Sequence, residues 1–197
     1  MTQEFFQQLK ELPGQLWQEV KSKKDEKPNF RTLAKAQAAL AMRILIYMPV
    51  RPENLSELEF DKHLFVRVET ATSTLELDAE EVTNDNDTGF DIPVHLAKML
   101  REYRDRIAPT HVGNRPKRLF VNLDGTAKSQ ATVSYLISSY ARRRAGIVIT
   151  PHQFRHLAAK NLLDANPGNF HARVTSRSHR SVAGQQRCHC EVSMWAR

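Results

Sequence analysis

The chain has 197 residues, 41% of them hydrophobic and 26% charged, which is enough for one domain with a real core. It holds no apolar run of the roughly 18 residues a transmembrane helix needs, and MTQEFFQQLKELPGQLW lacks the basic start and apolar core of a signal peptide. The formal net charge of +7 favours an anionic partner, nucleic acid first, against the alternative of a surface biased by chance.

Charge is unevenly spread. Residues 170–197 hold five arginines against the single acid Glu191, a surplus of +4 that leaves only +3 for the first 169 residues. Cys188 and Cys190 are too close in sequence to staple a fold, so a reducing, cytoplasmic setting fits.

Phe5, Phe6, Leu9, Leu12, Leu16 and Trp17 recur near helical spacing, and Pro13-Gly14 between them predicts two short helical pieces. The run KSKKDEKP (21–28) reads as a solvated connection. Leu33, Ala36, Leu40, Ile44 and Tyr47 mark a core helix over 31–48, about five turns long. Pro49 ends it, and a second short helix carries Leu55 and Leu58. Arg51 lies just before that helix, where dipole and guanidinium both favour an anion; a surface ion pair is the alternative use.

Residues 63–93 alternate as β structure. Leu64, Val66 and Val68 give one strand, Leu75 and Leu77 a second, and Phe90, Ile92 and Val94 a third, with a polar turn at Asn84–Gly89. That is a small antiparallel meander. A helix over 95–107 follows, then a loop rich in Pro, Gly and basic residues over 109–118, then the strand-like Leu119-Phe120-Val121. Val133, Leu136, Ile137 and Tyr140 mark a helix from about Gln130 to Ala145, closed by Gly146. Its last turn carries Arg142, Arg143 and Arg144, which suit the helix dipole and could also meet phosphates.

ITPHQFRHLAAKNLLD (149–164) predicts a helix capped by Thr150 with Pro151 in first position. His152 and Arg155 fall one turn apart on one face, and Phe154, Leu157, Ala158, Asn161 and Leu162 form another. An imidazole beside a guanidinium suits a phosphate diester, the alternative being a solvated basic helix terminus. No internal repeat or low-complexity tract is present.

The order of these parts resembles the catalytic domain of tyrosine recombinases, the phage-type integrases. AALAMRILIYMPVRPENLSELEFDKHL is similar to the first-arginine box of that family, ITPHQFRHLAAKNLLDANPGNF to its His-x-x-Arg box, and LFVNLDGTAKS to the segment between. The resemblance implies a mainly helical α+β fold of the DNA breaking-rejoining type with a small antiparallel β-sheet. The domain would span 29–170, after an N-terminal helical extension and linker over 1–28 and before a basic tail over 171–197. It implies site-specific DNA recombination and integration, of the kind mobile elements use. A tyrosine attacks a DNA phosphate to form a 3′-phosphotyrosyl link, with no metal and no cofactor. Double-stranded DNA is the partner, with a homo-oligomer or intact recombinase protomers assembled on it. Location would be the bacterial cytoplasm, at the nucleoid when bound to DNA, with no membrane attachment.

Position by position, the resemblance implies Arg51, His152, Arg155 and His179 as the phosphate cradle. Arg142, Arg143, Arg144, Lys128, Lys160 and Arg180 are the candidate DNA contacts. The chain departs from the family pattern at two reactive positions. Thr83 stands where the sheet lysine would protonate the leaving oxygen, and Cys188 or His189 where the tyrosine nucleophile would lie. Ser178 also replaces the glycine before the second histidine. These departures make the tail read as a degraded or frame-shifted copy and imply impaired cleavage. A non-catalytic DNA-binding protein that occupies or regulates recombination sites is the alternative, and a non-functional remnant a further one. Cys188-His189-Cys190 with His171 and His179 lacks the spacing by which one loop wraps zinc.

Overall fold

The structure, a computed structural model, describes residues 3–22, 28–48, 50–67, 73–77, 88–154 and 156–157. Helix α2 (Phe30–Tyr47) runs through the centre. Its residues are buried nearly all round, from Thr32 and Leu33 to Ile44 and Leu45, as a core helix requires. Five of the buried positions are alanines (34, 36, 38, 39 and 41), whose short side chains let neighbouring helices come close. Asn29 caps its start by accepting from Arg31 N–H at 2.8 Å.

The N-terminal segment is one helix, α1 (Gln3–Ser22), with Pro13 inside it, not two pieces. Leu9, Leu12, Leu16, Trp17 and Val20 form one buried stripe across the proline and pack on α2. An internal proline costs about 3 kcal/mol. Burying five such side chains contributes about 1.5–3 kcal/mol each, so packing wins. Gly14 also helps, since a Cβ there would lie 3.0 Å from an Nη of Arg43.

After Met48 the chain turns through Val50 and Arg51 into α3 (Pro52–Glu57). Strands β1 (Leu64–Phe65), β2 (Ser73–Leu77) and β3 (Thr88–Ile92) then form an antiparallel sheet in the order β1-β2-β3. Leu64 faces Leu75, which faces Phe90, and Ser73, Leu75 and Leu77 point inward along β2. This is the expected meander, in a fold that is otherwise mainly helical. Val66 lies beyond the end of β1, and Val94 opens a helix where the strand pattern had included it.

The helix expected to stop at 107 runs further. Helix α4 (Val94–Glu102) passes into a π-helical turn (Tyr103–Ile107) and on into α5 (Ala108–Val112). Pro109 sits at the start of α5, directly after the π-helical turn. Gly113, at φ 89°, closes the run, so the expected loop begins there. Leu119-Phe120-Val121 does not join the sheet. It pairs beside α3, with Leu119 N–H on the Leu58 carbonyl and Phe60 N–H on the Lys117 carbonyl, each at 2.8 Å.

Helix α6 (Gln130–Ala145) has the predicted bounds. Ser129 caps its start, and Gly146 ends it at φ 67°. It packs on α1, α2 and α3.

Candidate nucleic-acid interface

Arg51 is the N-cap residue of α3, half-buried, in extended backbone (φ −70°, ψ 149°), and its side chain makes no capping bond. Pro52 suits the first helical position, and Leu55 N–H donates to the Arg51 carbonyl at 2.8 Å. Helix α3 is tied to α6 by Gln130, whose amide donates to Glu53 Oε1 at 3.1 Å.

Beyond Gly146 the chain is extended and alternates. Ile147 and Ile149 are buried, while Val148 between them is 82% exposed. A helical turn then begins at Pro151, as the sequence predicts. Thr150 and Gln153 close a capping box: Gln153 N–H meets Thr150 Oγ1 at 3.3 Å, and Thr150 N–H meets Gln153 Oε1 at 3.0 Å. Phe154, fully buried, anchors the turn in the core and leaves His152 exposed.

These pieces border one groove. A cavity of about 490 Å³ is lined by Pro52 and Glu53 from α3, Gln130 and Tyr135 from α6, and Thr150 and His152. Arg51 is not itself in the lining, but its next two residues are. A second cavity of about 430 Å³ continues the first through Tyr135, Ser138 and Thr150, and adds Arg142, Arg143 and Val148. The early turn and the histidine-bearing helix, a hundred residues apart in sequence, thus share a surface.

The three arginines of α6 do not act as one cluster. Arg142 and Arg143 line the groove, and Arg143 lies 5.3 Å over the Tyr140 ring and donates to Ser139. Arg144 turns the other way, to an ion pair with Glu19 of α1. Lys128 is not a free surface cation. It is buried, its ammonium donates to the Val121 carbonyl, and the Phe30 ring lies 5.7 Å away. Burial pulls its pKa down to about 8 against the opposing pull of Asp124.

Two neighbours of His152 went unremarked in the sequence. Tyr135, 67% exposed, falls off the apolar stripe of α6 and lines both cavities. His156 meets His152 edge to face, with ring centroids 4.5 Å apart and the two Nε2 atoms 3.0 Å apart. The signal for it was the spacing of two histidines four apart on a helix. Among the described residues, no group of three or more His, Cys, Asp or Glu comes together to hold a metal, and no helix is long and apolar enough to cross a membrane. Thr83, Arg155, Lys160, His179, Arg180, Cys188 and His189 lie outside the described residues.

No protein-family model matches the chain, and no curated protein matches it. Solved structures do. The crystal structure of XerA recombinase superposes with a TM-score of 0.55 at 18% identity, over 84% of this chain and 51% of that one. The XerH site-specific recombinase, bound to palindromic difH substrate in a post-cleavage complex, gives 0.60 at 17% identity over 84% and 42%. The chain therefore spans about half the length of these recombinases or less. The mostly helical body, the three-stranded antiparallel sheet and these superpositions together define a tyrosine recombinase-like fold.

Proposed function

We propose that the chain binds double-stranded DNA along the groove between α3, α6 and the helix that starts at Pro151, as a recombinase-type catalytic domain with impaired cleavage. The observation that carries this reading is the shared groove: the helix that follows Arg51 and the side chain of His152 border the same cavity, with Arg142 and Arg143 in its continuation. That XerH is seen on a DNA substrate supports the same partner.

In this reading Arg51 and His152, joined by Arg155 and His179, hold one phosphate, and Arg142 and Arg143 hold the neighbouring backbone. Donors fixed around a phosphate stabilise the negative charge that grows on its oxygens during attack. Strand cleavage then needs a nucleophile to displace the 5′-oxygen and a proton to leave with it. Cys188 or His189 stands at the nucleophile position and Thr83 at the lysine position, so both partners of that step depart from the pattern. The alternative, a non-catalytic protein that occupies or regulates recombination sites, is favoured by the same two departures.

A nicked duplex that traps covalent intermediates separates the two. Retention on DNA that survives denaturing electrophoresis establishes strand cleavage. Retention that disappears on denaturation establishes binding alone. No retention on any duplex even at low salt, where phosphate contacts are strongest, overturns both.

A further inference from the structure

We infer that His152 and His156 form a two-histidine site for a late first-row divalent cation, Cu²⁺ most tightly. Both imidazoles are exposed and lie four residues apart on one helix face, the spacing by which helices present paired histidines to a metal. Their Nε2 atoms converge to 3.0 Å, with the ring planes at 83°. Metal–imidazole bonds are about 2.0–2.1 Å long, so two nitrogens in adjacent positions at a right angle stand about 2.9 Å apart. At a tetrahedral angle the same bonds require roughly 3.3 Å. The observed separation lies within the reach of one ion in either geometry, and the order of divalent affinities places Cu²⁺ ahead of Ni²⁺ and Zn²⁺ on imidazole.

No third His, Cys, Asp or Glu joins the pair among the described residues, so the two imidazoles are the ligands those residues supply. Without metal, the same two nitrogens share one N–H···N hydrogen bond, which requires one ring to donate and the other to accept. A bound cation takes both lone pairs and thereby removes His152 Nε2 from the groove. Metal and DNA phosphate then compete for one imidazole, a consequence that alone rests on the proposed DNA-binding function.

The test is Cu²⁺ titration of the full chain by calorimetry, wild type against His156→Ala and His156→Gln. Other histidines and cysteines are common to all three proteins, so the difference reports the pair. Loss of one equivalent of bound Cu²⁺ in both variants is expected, and undiminished stoichiometry and affinity would overturn the site. His156 is exposed, so neither substitution threatens folding. Failure of the DNA-binding reading is distinguishable, because it shows as no DNA retention in the metal-free wild type.

Discussion

Arg144, in the last turn of α6, reaches across to Glu19 on α1, where the carboxylate also takes Lys35 of α2 at 2.7 Å. One acid thus joins three helices. Burial pushes the Glu19 carboxyl up, but the hydrogen bonds and charges of Lys35 and Arg144 outweigh it and hold the group below its ordinary value of 4.5. A carboxylate with a lowered folded pKa stabilises above its unfolded value and loses that contribution as pH falls through the folded one. The Glu19 side chain is 39% exposed, so solvent screening limits the effect. Glu19→Gln should lower stability by about 0.5–1 kcal/mol at neutral pH. In urea denaturation the gap from wild type should shrink below pH 4.5. A gap unchanged with acidification would show that the charges do not carry it.

The capping box at Thr150 and Gln153 should be separable from the core. Thr150→Ala removes the acceptor for Gln153 N–H and should cost about 1 kcal/mol of local stability. Hydrogen exchange should quicken at Gln153 and Phe154 while amides of α2 stay protected. Uniform acceleration across both regions would mean that the turn is not a local unit.

Helix α6 was legible because everything that sets its bounds is local: an apolar stripe, a serine cap and a left-handed glycine. The same holds for the start at Pro151. What was not legible depends on partners distant in sequence. Pro13-Gly14 reads as a break until α2 covers the stripe on both sides of it. Three consecutive arginines read as one patch, yet successive helical residues point about 100° apart, so only two reach the groove. Glu19, which claims the third, is 125 positions away. Lys128 sits in a polar segment and reads as exposed, but the Val121 carbonyl and the Phe30 ring draw it inward.

Tyr103 and Gln37 form a buried polar relay. Gln37 Nε2 donates to the Tyr103 hydroxyl at 2.8 Å and to the Val121 carbonyl at 2.9 Å, and that hydroxyl donates to the Leu119 carbonyl at 2.9 Å. Burial pushes the Tyr103 hydroxyl far above its ordinary pKa, against the opposing pull of the Gln37 hydrogen bond, so it stays protonated and able to donate. Tyr103→Phe takes the hydroxyl donor from the Leu119 carbonyl and the acceptor from one of the two Gln37 amide protons, and should cost about 1–3 kcal/mol. Gln37→Leu should cost less, because it also removes Gln37 Oε1, which has no hydrogen-bond partner among the described residues. Equal losses from the two substitutions in denaturant titrations would contradict the relay.

Lys128 should give stability a second, alkaline dependence on pH. Its folded pKa of about 8 lies below the ordinary 10.5. Between those values the unfolded chain binds more protons, so stability should rise with pH across that window. The full shift, from 10.5 to about 8, corresponds to at most about 3.4 kcal/mol at 1.36 kcal/mol per unit. Lys128→Met keeps the bulk and removes the titration, so its stability should be flat over the same window. A wild-type profile equally flat from pH 8 to 10.5 would mean that the ammonium is solvated.

Arg142 and Arg144 make opposite predictions under the proposed DNA-binding function, although one residue separates them. Each phosphate contact adds about 0.9 to the slope of log affinity against log salt concentration. Arg142 lines the groove, so Arg142→Ala should reduce that slope by about one contact and leave the denaturation midpoint nearly unchanged. Arg144 spends its charge on Glu19, so Arg144→Ala should leave the slope intact and lower the midpoint instead. Binding isotherms at several salt concentrations, set beside denaturation curves of the same proteins, read both quantities. Equal slopes for wild type and Arg142→Ala would place the DNA on another face. A reduced slope for Arg144→Ala would mean that the bound state breaks the Glu19 pair and turns that guanidinium toward the backbone.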